Sequence, residues 1–286
     1  MVYRAALPAD TEAIGAFLVA HSDTSMFLRA NLAEHGPCGG AARNATRMWI
    51  REEAGAVSGV FGITTAGFVL VQLPDAAPAA DIAEILAPFA INGIIGATPQ
   101  VRRMQGWLGL AGAGVQLDED EPLYSLDLSE LAPPQGENTL RPAVEGDLPL
   151  LERWRAAYLV ETIHFSDGEA RELAAGDVAA MQARGSLMLL EDGAGAALAM
   201  TSFNAILPDM VQIGNVYVPP ERRGRGHARE VVARHLARAR GAGVRRAILF
   251  ASGPAASRAY EAIGFRQVGH FTLLFFAERQ SVRSAP

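Results

Sequence analysis

The sequence predicts an α/β protein built from two similar domains, each a mixed, mostly antiparallel sheet flanked by helices. The chain has 286 residues, which exceeds the usual domain size of about 100–200 residues. The segments 3–20 and 140–163 begin alike, with an arginine, an aspartate and an apolar helix in the same order. Their offset of about 137 residues has the size of a domain, so it indicates a duplicated fold and not a solenoid repeat.

A break in the pattern separates the two halves. Residues 132–138 contain two adjacent prolines, a glycine and polar side chains, which interrupt both helical and strand periodicity. We therefore predict a first domain at 1–131, a linker at 132–138 and a second domain at 139–286.

Apolar periodicity and capping residues define the elements of the second half. Asp147 caps a helix that runs to Ile163, and Ser166 caps the next one. Alternating runs separated by turn residues then predict three antiparallel strands. A helix, a strand, a second helix and a last strand follow, and the strand–helix–strand unit requires one parallel pair. The predicted ranges are 147–163, 168–184, 186–191, 196–206, 210–218, 226–240, 244–251, 254–263 and 265–276.

The first half has a similar but less regular order. Its periodicity predicts helices at 10–20, 26–34, 80–89 and 100–108 and strands at 46–51, within 57–73, and at 124–128. The glycine-containing segments 92–96 and 109–114 are predicted as turns.

Composition excludes several kinds of chemistry. All 25 basic residues are arginine, so a Walker-type lysine, a protein-kinase strand lysine and a pyridoxal phosphate Schiff base are excluded. Cys38 is the single cysteine, so no disulfide framework or cysteine zinc site is expected. The histidines show no metal-ligand spacing, and we expect no metal.

Charge and hydropathy favour small-molecule partners. The net charge of −6 gives no overall reason to expect a nucleic acid or an anionic membrane as partner. The chain contains neither a signal-peptide pattern nor an apolar run of bilayer length, so we expect a cytoplasmic protein that is a monomer or a homodimer.

The turn after residue 218 has the chemistry of an anion site. A strand leads through Pro219 into a turn with three arginines and two glycines, and an apolar helix begins there. Glycines allow a tight turn, the first helical N–H groups point outward, and the helix dipole adds about half a positive charge. We predict that this turn holds a pyrophosphate; the alternative is a solvated Arg-Gly turn.

This turn resembles the signature of the GNAT acyltransferase superfamily: a basic residue or Gln, two residues, Gly, one residue, then Gly or Ala. Arg223, Gly226 and Ala228 fill those positions, and the resemblance covers about residues 139–276 in element order. It implies an N-acetyltransferase that transfers an acyl group directly from acetyl-CoA, or another short acyl-CoA, to a small-molecule or peptide primary amine. It also implies that the strand before the turn and the parallel strand after the helix splay apart around the pantetheine arm.

The resemblance assigns the cofactor contacts to the end of that strand and to the turn. The backbone of Val216 would polarise the thioester carbonyl, which is effective because the N–H is oriented before reaction. The same strand end would pair with pantetheine amides, Arg223 would take the family's basic position, and backbone N–H groups of the turn would hold the pyrophosphate. The residues so assigned are Val216, Tyr217, Val218, Arg223, Gly224, Arg225, Gly226, His227, Ala228 and Tyr260.

Tyr260 resembles the family's second motif, in which a tyrosine precedes Gly-Phe by four residues. That tyrosine typically protonates the departing CoA thiolate, a step that suits a phenol with an ordinary pKa near 10. Packing of Tyr260 in the core is the alternative, and both can hold. Gly253 replaces an asparagine that the family commonly has before the helix proline.

The general base is the weakest part of the pattern. Relatives often carry Glu or His on the strand before the turn, where this chain has Gln212 and Gly214. Glu161 is the nearest substitute, because it lies with Trp154 and Tyr158 on one face of the first helix of the second half. A surface role is its alternative. Further candidates for acceptor contacts are His164, Asn204, Asp209 and Asn215.

The first half lacks these motifs. Its segment 75–81 is acidic and carries no arginine, which would repel a pyrophosphate. We therefore predict a degenerate copy without a cofactor site. Two other functions stay open for the whole chain: a non-catalytic acyl-CoA-binding or sensor protein, and an Arg-Gly nucleic-acid module, which the charge and the lack of interleaved aromatics disfavour.

Overall fold

The computed structural model describes residues 3–74 and 80–282. The chain divides into two compact units, Met1–Glu121 with Gly269–Pro286, and Pro122–Val268. Most of the acidic segment predicted at 75–81 lies outside the described residues.

The first copy of the fold runs from β1 to β6, and its described residues include the helices α1 to α4. Its α2 begins four residues earlier than predicted. Its elements are β1 (Tyr3–Ala5), α1 (Thr11–Ala20), α2 (Ser22–His35), β2 (Thr46–Glu53), β3 (Ala56–Thr64), β4 (Phe68–Gln72), α3 (Ala80–Leu86), β5 (Ile91–Ala97), α4 (Thr98–Trp107) and β6 (Val115–Asp127).

The second copy repeats this order. Ser166 caps its second helix through a hydrogen bond that its hydroxyl accepts from the Glu169 N–H, as the sequence predicts. The elements are β7 (Thr139–Pro142), α5 (Leu148–Ile163), α6 (Asp167–Ala183), β8 (Met188–Glu191), β9 (Ala197–Ile206), β10 (Met210–Tyr217), α7 (His227–Gly241), β11 (Arg246–Phe250), α8 (Pro254–Glu261) and β12 (Arg266–Gln280). The predicted class, two tandem copies of a mixed and mostly antiparallel α/β fold, is confirmed.

The prediction of a turn at 92–96 is wrong, because these residues belong to β5. In the first unit β5 pairs parallel with β4 and antiparallel with β12. A Cβ on Gly93 would meet the carbonyl oxygen of Leu274, and one on Gly96 would meet the side chain of Val71. The glycines therefore allow close strand approach in a sheet and do not mark a turn. The described strands of this unit follow the order β1-β2-β3-β4-β5-β12.

The sheet of the second unit has the order β6-β11-β10-β9-β8-β7 among the described strands. Of the described pairs in this unit, β10 with β11 is the parallel one. One face packs on α7 and α8 through a core that includes Val231, Leu236 and Ile263. The other face packs on α5 and α6 through Leu151, Trp154 and Val178.

The compact units do not coincide with the two copies predicted from the sequence. The part of β6 after Glu121 belongs to the second unit, and the part of β12 from Gly269 belongs to the first. Each unit is therefore completed by the last strand of the other copy. Residues 132–138 lie within the second unit, where Arg234 donates to the carbonyl of Gly136 at 2.8 Å and Asn138 donates to Glu230 at 2.6 Å. The predicted linker is thus hydrogen-bonded to α7.

We expect His235 to make the protein sensitive to acid. Its imidazole stacks on Phe203 with ring centroids 3.8 Å apart, and burial, with a smaller effect of Arg238, lowers its pKa from 6.5 to about 3. The unfolded chain takes up this proton near pH 6.5 and the folded chain does not, so stability falls as the pH falls from 6.5 towards 3. His235→Phe should reduce that loss. Urea unfolding at pH 7 and pH 4 measures it.

The matched control is His270→Phe, at an exposed position. It should lose as much stability between the two pH values as the unaltered protein. Equal losses in the His235 variant would contradict the expectation.

Candidate functional site

The parallel strands β10 and β11 separate along their length. Their register runs from Met210 opposite Arg246 to Gln212 opposite Ile248, and no further pair follows, although both strands continue. Over the same stretch β11 stays paired with β6 up to Phe250 opposite Leu123. Among the described strands, the backbone of β10 beyond Gln212 therefore has no partner on its β11 side.

Two bulges shape the neighbouring β9–β10 pair. Between Gln212 opposite Ala205 and Ile213 opposite Phe203, strand β9 has one extra residue, Asn204. Between Gly214 opposite Ser202 and Tyr217 opposite Met200, strand β10 has the extra residue. The two insertions cancel, so the register is restored at Tyr217. Bulges of this kind redirect side chains and interrupt pairing beside functional sites.

The bulge on β10 contains a residue with left-handed backbone. Asn215 has a φ of 53°, a conformation that asparagine adopts more readily than most non-glycine residues. The next residue, Val216, is the one assigned to the thioester carbonyl. The irregular backbone thus occurs directly before the predicted oxyanion donor.

The turn after β10 contains two left-handed glycines and ends at the start of α7. Gly224 and Gly226 have φ values of 75° and 84°, which an L side chain rarely adopts. Gly226 is the N-cap of α7, so the helix begins at His227. The N–H groups of the first turn of a helix have no partner within it. Among the described residues the buried Nδ1 of His227 also has no hydrogen-bond partner.

Arg223 links the turn to α5. Its Nε donates to the carbonyl of Val218 at 2.9 Å, and its Nη2 donates to Glu161 at 2.6 Å. The guanidinium lies over the ring of Tyr217, 5.6 Å from its centroid. The Tyr217 hydroxyl makes a long 3.5 Å hydrogen bond to the same carboxylate, and burial followed by the charge of Glu161 raises the pKa of Tyr217.

Glu161 lies at the surface, as the alternative interpretation of this residue requires. Its side chain is 42% exposed and pairs with Arg223, itself 46% exposed. Trp154 packs on Tyr217, and Arg155 lies over Tyr158. An ion pair this exposed contributes at most about 1 kcal/mol, so an anionic ligand can replace Glu161 at little cost.

A cavity of about 250 Å³ lies beside the turn. It is lined by Arg225, His227, Arg229 and Glu230, by residues of the 132–138 segment and by Ile263, which follows α8. The cavity places two arginines next to the turn that is predicted to bind pyrophosphate.

Tyr260 is in the core, as one of its two predicted roles requires. It is 7% exposed and belongs to the cluster of α7, α8 and the sheet, with its ring 6.1 Å from that of Phe265. On the same helix Glu261 accepts a 2.8 Å hydrogen bond from the Tyr124 hydroxyl, which fixes α8 against β6.

A charged cluster beside Asn215 was not predicted from the sequence. Arg155 donates to the Asn215 side-chain oxygen and also pairs with Asp177 at 2.6 Å. Arg155 and Asp177 stand among the apolar positions of two successive helices, which was the signal that the sequence offered. A single sequence does not show, however, which side chains of two helices pair. Asn204 and Asn215, named as further candidates, do come together: the Asn215 amide donates to Asn204 at 2.8 Å.

The described residues also limit other assignments. Among them, no helix combines the length and hydropathy needed to cross a bilayer. No group of three or more His, Cys, Asp or Glu side chains within 3–74 and 80–282 is arranged to hold a metal.

Comparison with known proteins finds a family profile that matches part of the chain. The profile of the Acetyltransferase (GNAT) family matches residues 150–265. No curated protein matches the chain in sequence.

Similar solved structures span nearly the whole chain. A tandem GNAT protein from the clavulanic acid biosynthesis pathway is 15% identical, covers 99% of each chain and has a TM-score of 0.53. A GCN5-related N-acetyltransferase from Sphaerobacter thermophilus is 15% identical, with a TM-score of 0.55, over 100% of this chain and 96% of its own. A Drosophila protein reaches a TM-score of 0.64 at 12% identity, over 96% of this chain and 98% of its own. At these identities the likeness shows the fold.

The N-cap glycine of α7 should be sensitive to substitution. Gly226→Ala places a Cβ at a φ of 84° and should cost about 1–2 kcal/mol of stability, measured by urea unfolding. The control is Gly241→Ala at the other end of α7, where φ is not left-handed and an added Cβ meets open space. Equal stability of the two variants would show that the turn relaxes freely.

Proposed function

We propose that this protein transfers an acetyl group from acetyl-CoA to a primary amine, because residues 150–265 match the profile of the Acetyltransferase (GNAT) family. The observation that carries the proposal is the separation of β10 from β11 after Gln212. It leaves backbone N–H and C=O groups beside a gap that leads directly into the glycine turn. A flexible chain with amides and a diphosphate at its end fits that sequence of donors.

The binding residues follow from this geometry. The strand end Val216, Tyr217 and Val218 would bind the pantetheine arm. Gly224, Arg225, Gly226, His227 and Ala228 would bind the pyrophosphate through backbone N–H groups, and the two arginines beside the cavity supply positive charge. The unpaired His227 Nδ1 fits a ligand that brings a hydrogen-bonding group to this turn.

Transfer would proceed in one displacement. The neutral amine nitrogen attacks the thioester carbonyl carbon while the Val216 N–H stabilises the oxyanion. The carbon–sulfur bond then breaks, and Tyr260 donates its proton to the CoA thiolate. The proton lost by the amine passes to Glu161, directly or through water. Amide and free CoA are the products.

Glu161 and Arg223 would change partners during binding. In the structure described here the guanidinium is engaged by the carboxylate. A pyrophosphate competes for Arg223 with more charge and more oxygens, which releases Glu161 on the side of Tyr217. The proposed base becomes available when the acyl donor is bound.

One observation favours a second function, a non-catalytic acyl-CoA-binding or sensor protein. Gln212 and Gly214 carry no base, and Glu161 is exposed and ion-paired. The two functions differ in one measurement: an enzyme releases free thiol from acetyl-CoA only when an amine is added, and a sensor does not.

Calorimetry with acetyl-CoA should give one binding site per chain, because the first copy has no arginine or glycine turn in the corresponding segment. Arg223→Ala should weaken binding about tenfold, the value of a charge-assisted hydrogen bond to phosphate. The matched control, Arg171→Ala at an exposed position of α6, should bind normally. Absence of binding at micromolar acetyl-CoA would sink the proposal.

Tyr260→Phe should lower kcat by about 100-fold with little change in KM for acetyl-CoA, because general-acid catalysis is lost while the ring still packs. Tyr124→Phe is the control: it removes a buried hydroxyl from the same core and should affect stability, not kcat. Thiol release in the presence of an amine panel measures both. Equal kcat values for the Tyr260 variant and the unaltered enzyme would remove Tyr260 from the mechanism.

A further inference from the structure

Asn204 projects its side-chain amide over the place where a side chain at Gly214 would lie. A Cβ on Gly214 would overlap the amide nitrogen, carbon and oxygen of Asn204, with the nitrogen nearest. Asn204 is the extra residue of the β9 bulge, and the bulge directs it there. Gly214 is also one of the two positions at which the resemblance predicts a general base. A carboxamide from the neighbouring strand therefore takes the place of a side chain from β10.

The hydrogen bonds around Asn215 determine whether the nitrogen or the oxygen of the Asn204 side chain is available to a ligand. Arginine can only donate, so Arg155 determines that the oxygen of Asn215 faces it. The Asn215 nitrogen must then face away, and it donates to Ser202 and Asn204 at 2.8 Å each.

Asn204 consequently accepts with its oxygen, and its nitrogen is left to donate. The Ser202 hydroxyl does not compete for this arrangement, because it donates to the sulfur of Met181 at 3.0 Å. Asp177 anchors the chain of bonds by holding Arg155 at 2.6 Å and 3.0 Å. The polarity above Gly214 is thus set by the chain Asp177–Arg155–Asn215–Asn204.

A second group on this face of β10 offers the opposite polarity. Gln212, two residues before Gly214, is 1% exposed, and its side-chain oxygen has no hydrogen-bond partner among the described residues. A buried acceptor without a partner is costly, about 1–3 kcal/mol. A ligand that brings both an N–H and an oxygen to this face would satisfy Gln212 and Asn204 together.

We propose that Asn204 is a specificity-determining residue that binds the carbonyl oxygen of an α-amino carbonyl acceptor, such as an amino-acid amide or a peptide N-terminus. This inference rests on the proposed function and names its acceptor class. A diamine of the same length is disfavoured, because its second ammonium group meets a donor N–H that it cannot satisfy. The charge of Arg155 is balanced by Asp177, so the cluster adds no negative charge that would attract a polyamine.

The test compares two acceptors that differ in one group. L-Alaninamide and 1,2-diaminopropane have the same skeleton, with a carbonyl in the first and a methylene in the second. Release of CoA thiol from acetyl-CoA gives kcat/KM for each. The unaltered protein should prefer alaninamide about tenfold, the value of one hydrogen bond.

Asn204→Asp should reverse the preference, because a carboxylate accepts where the amide donates. Asn204→Ala should abolish it. Asp177→Asn should weaken it through the loss of the anchor. Asn44→Asp, an exposed asparagine of the first unit, introduces the same charge elsewhere and should leave the ratio unchanged. The ratio of the two kcat/KM values does not respond to a loss of folded protein, so a merely structural role of Asn204 would leave it unaltered.

Other outcomes separate this inference from the proposed function. Release with both amines at equal kcat/KM, or the same ratio in Asn204→Asp, overturns the role of Asn204 while acyl transfer stands. Acetyl-CoA binding without release for any amine overturns both. Alanyl-alanine as a third acceptor distinguishes the sources: a higher kcat/KM than alaninamide supports a peptide N-terminus, and a lower one supports a small amino-acid amide.

Discussion

The hydrogen bond between Asn215 and Asn204 is the contact on which the shape of the β9–β10 pair depends. Each residue is the irregular one in its strand, and each satisfies the other where the regular ladder is interrupted. Asn215 is buried and must be paired to avoid a large cost, so its hydrogen bond to Asn204 stabilises the two bulges together. Together they fix the left-handed backbone of Asn215 directly before Val216. They also restore the register of β10 at Tyr217, before the glycine turn.

The charged part of the site is arranged around this backbone. Arg155 and Asp177 support the bulge from α5 and α6, with partly enclosed side chains. Arg223 and Glu161 pair at the exposed end of the same strand. The difference in exposure separates their roles, because an enclosed pair fixes geometry and an exposed pair exchanges partners easily. The enclosed pair Arg155–Asp177 and the exposed, replaceable pair Arg223–Glu161 therefore both lie along β10.

The glycine turn and the helix cap could be predicted from the sequence because their signals are local. Glycines and arginines between a strand and a helix predict the turn from Arg223 to Ala228. The helix cap is predicted by the hydroxyl side chain of Ser166. The strand at 91–97 was wrongly predicted as a turn, because glycines such as Gly93 and Gly96 are also common in turns. Their meaning depends on Leu274 and Val71, which are distant in sequence. The same limit hid the pairing of Arg155 with Asp177.

By itself the sequence determined the fold class, the duplication, the glycine turn and the positions of Tyr260 and Glu161, because periodicity, capping and motif spacing act within a few residues. The tertiary structure alone decided which strands complete each unit, that 132–138 is fastened to α7, that Glu161 is bound to Arg223, and that the Asn204 amide covers Gly214. These features depend on the register of paired strands and on hydrogen-bond direction between distant residues. Neither quantity has a local signature in the chain.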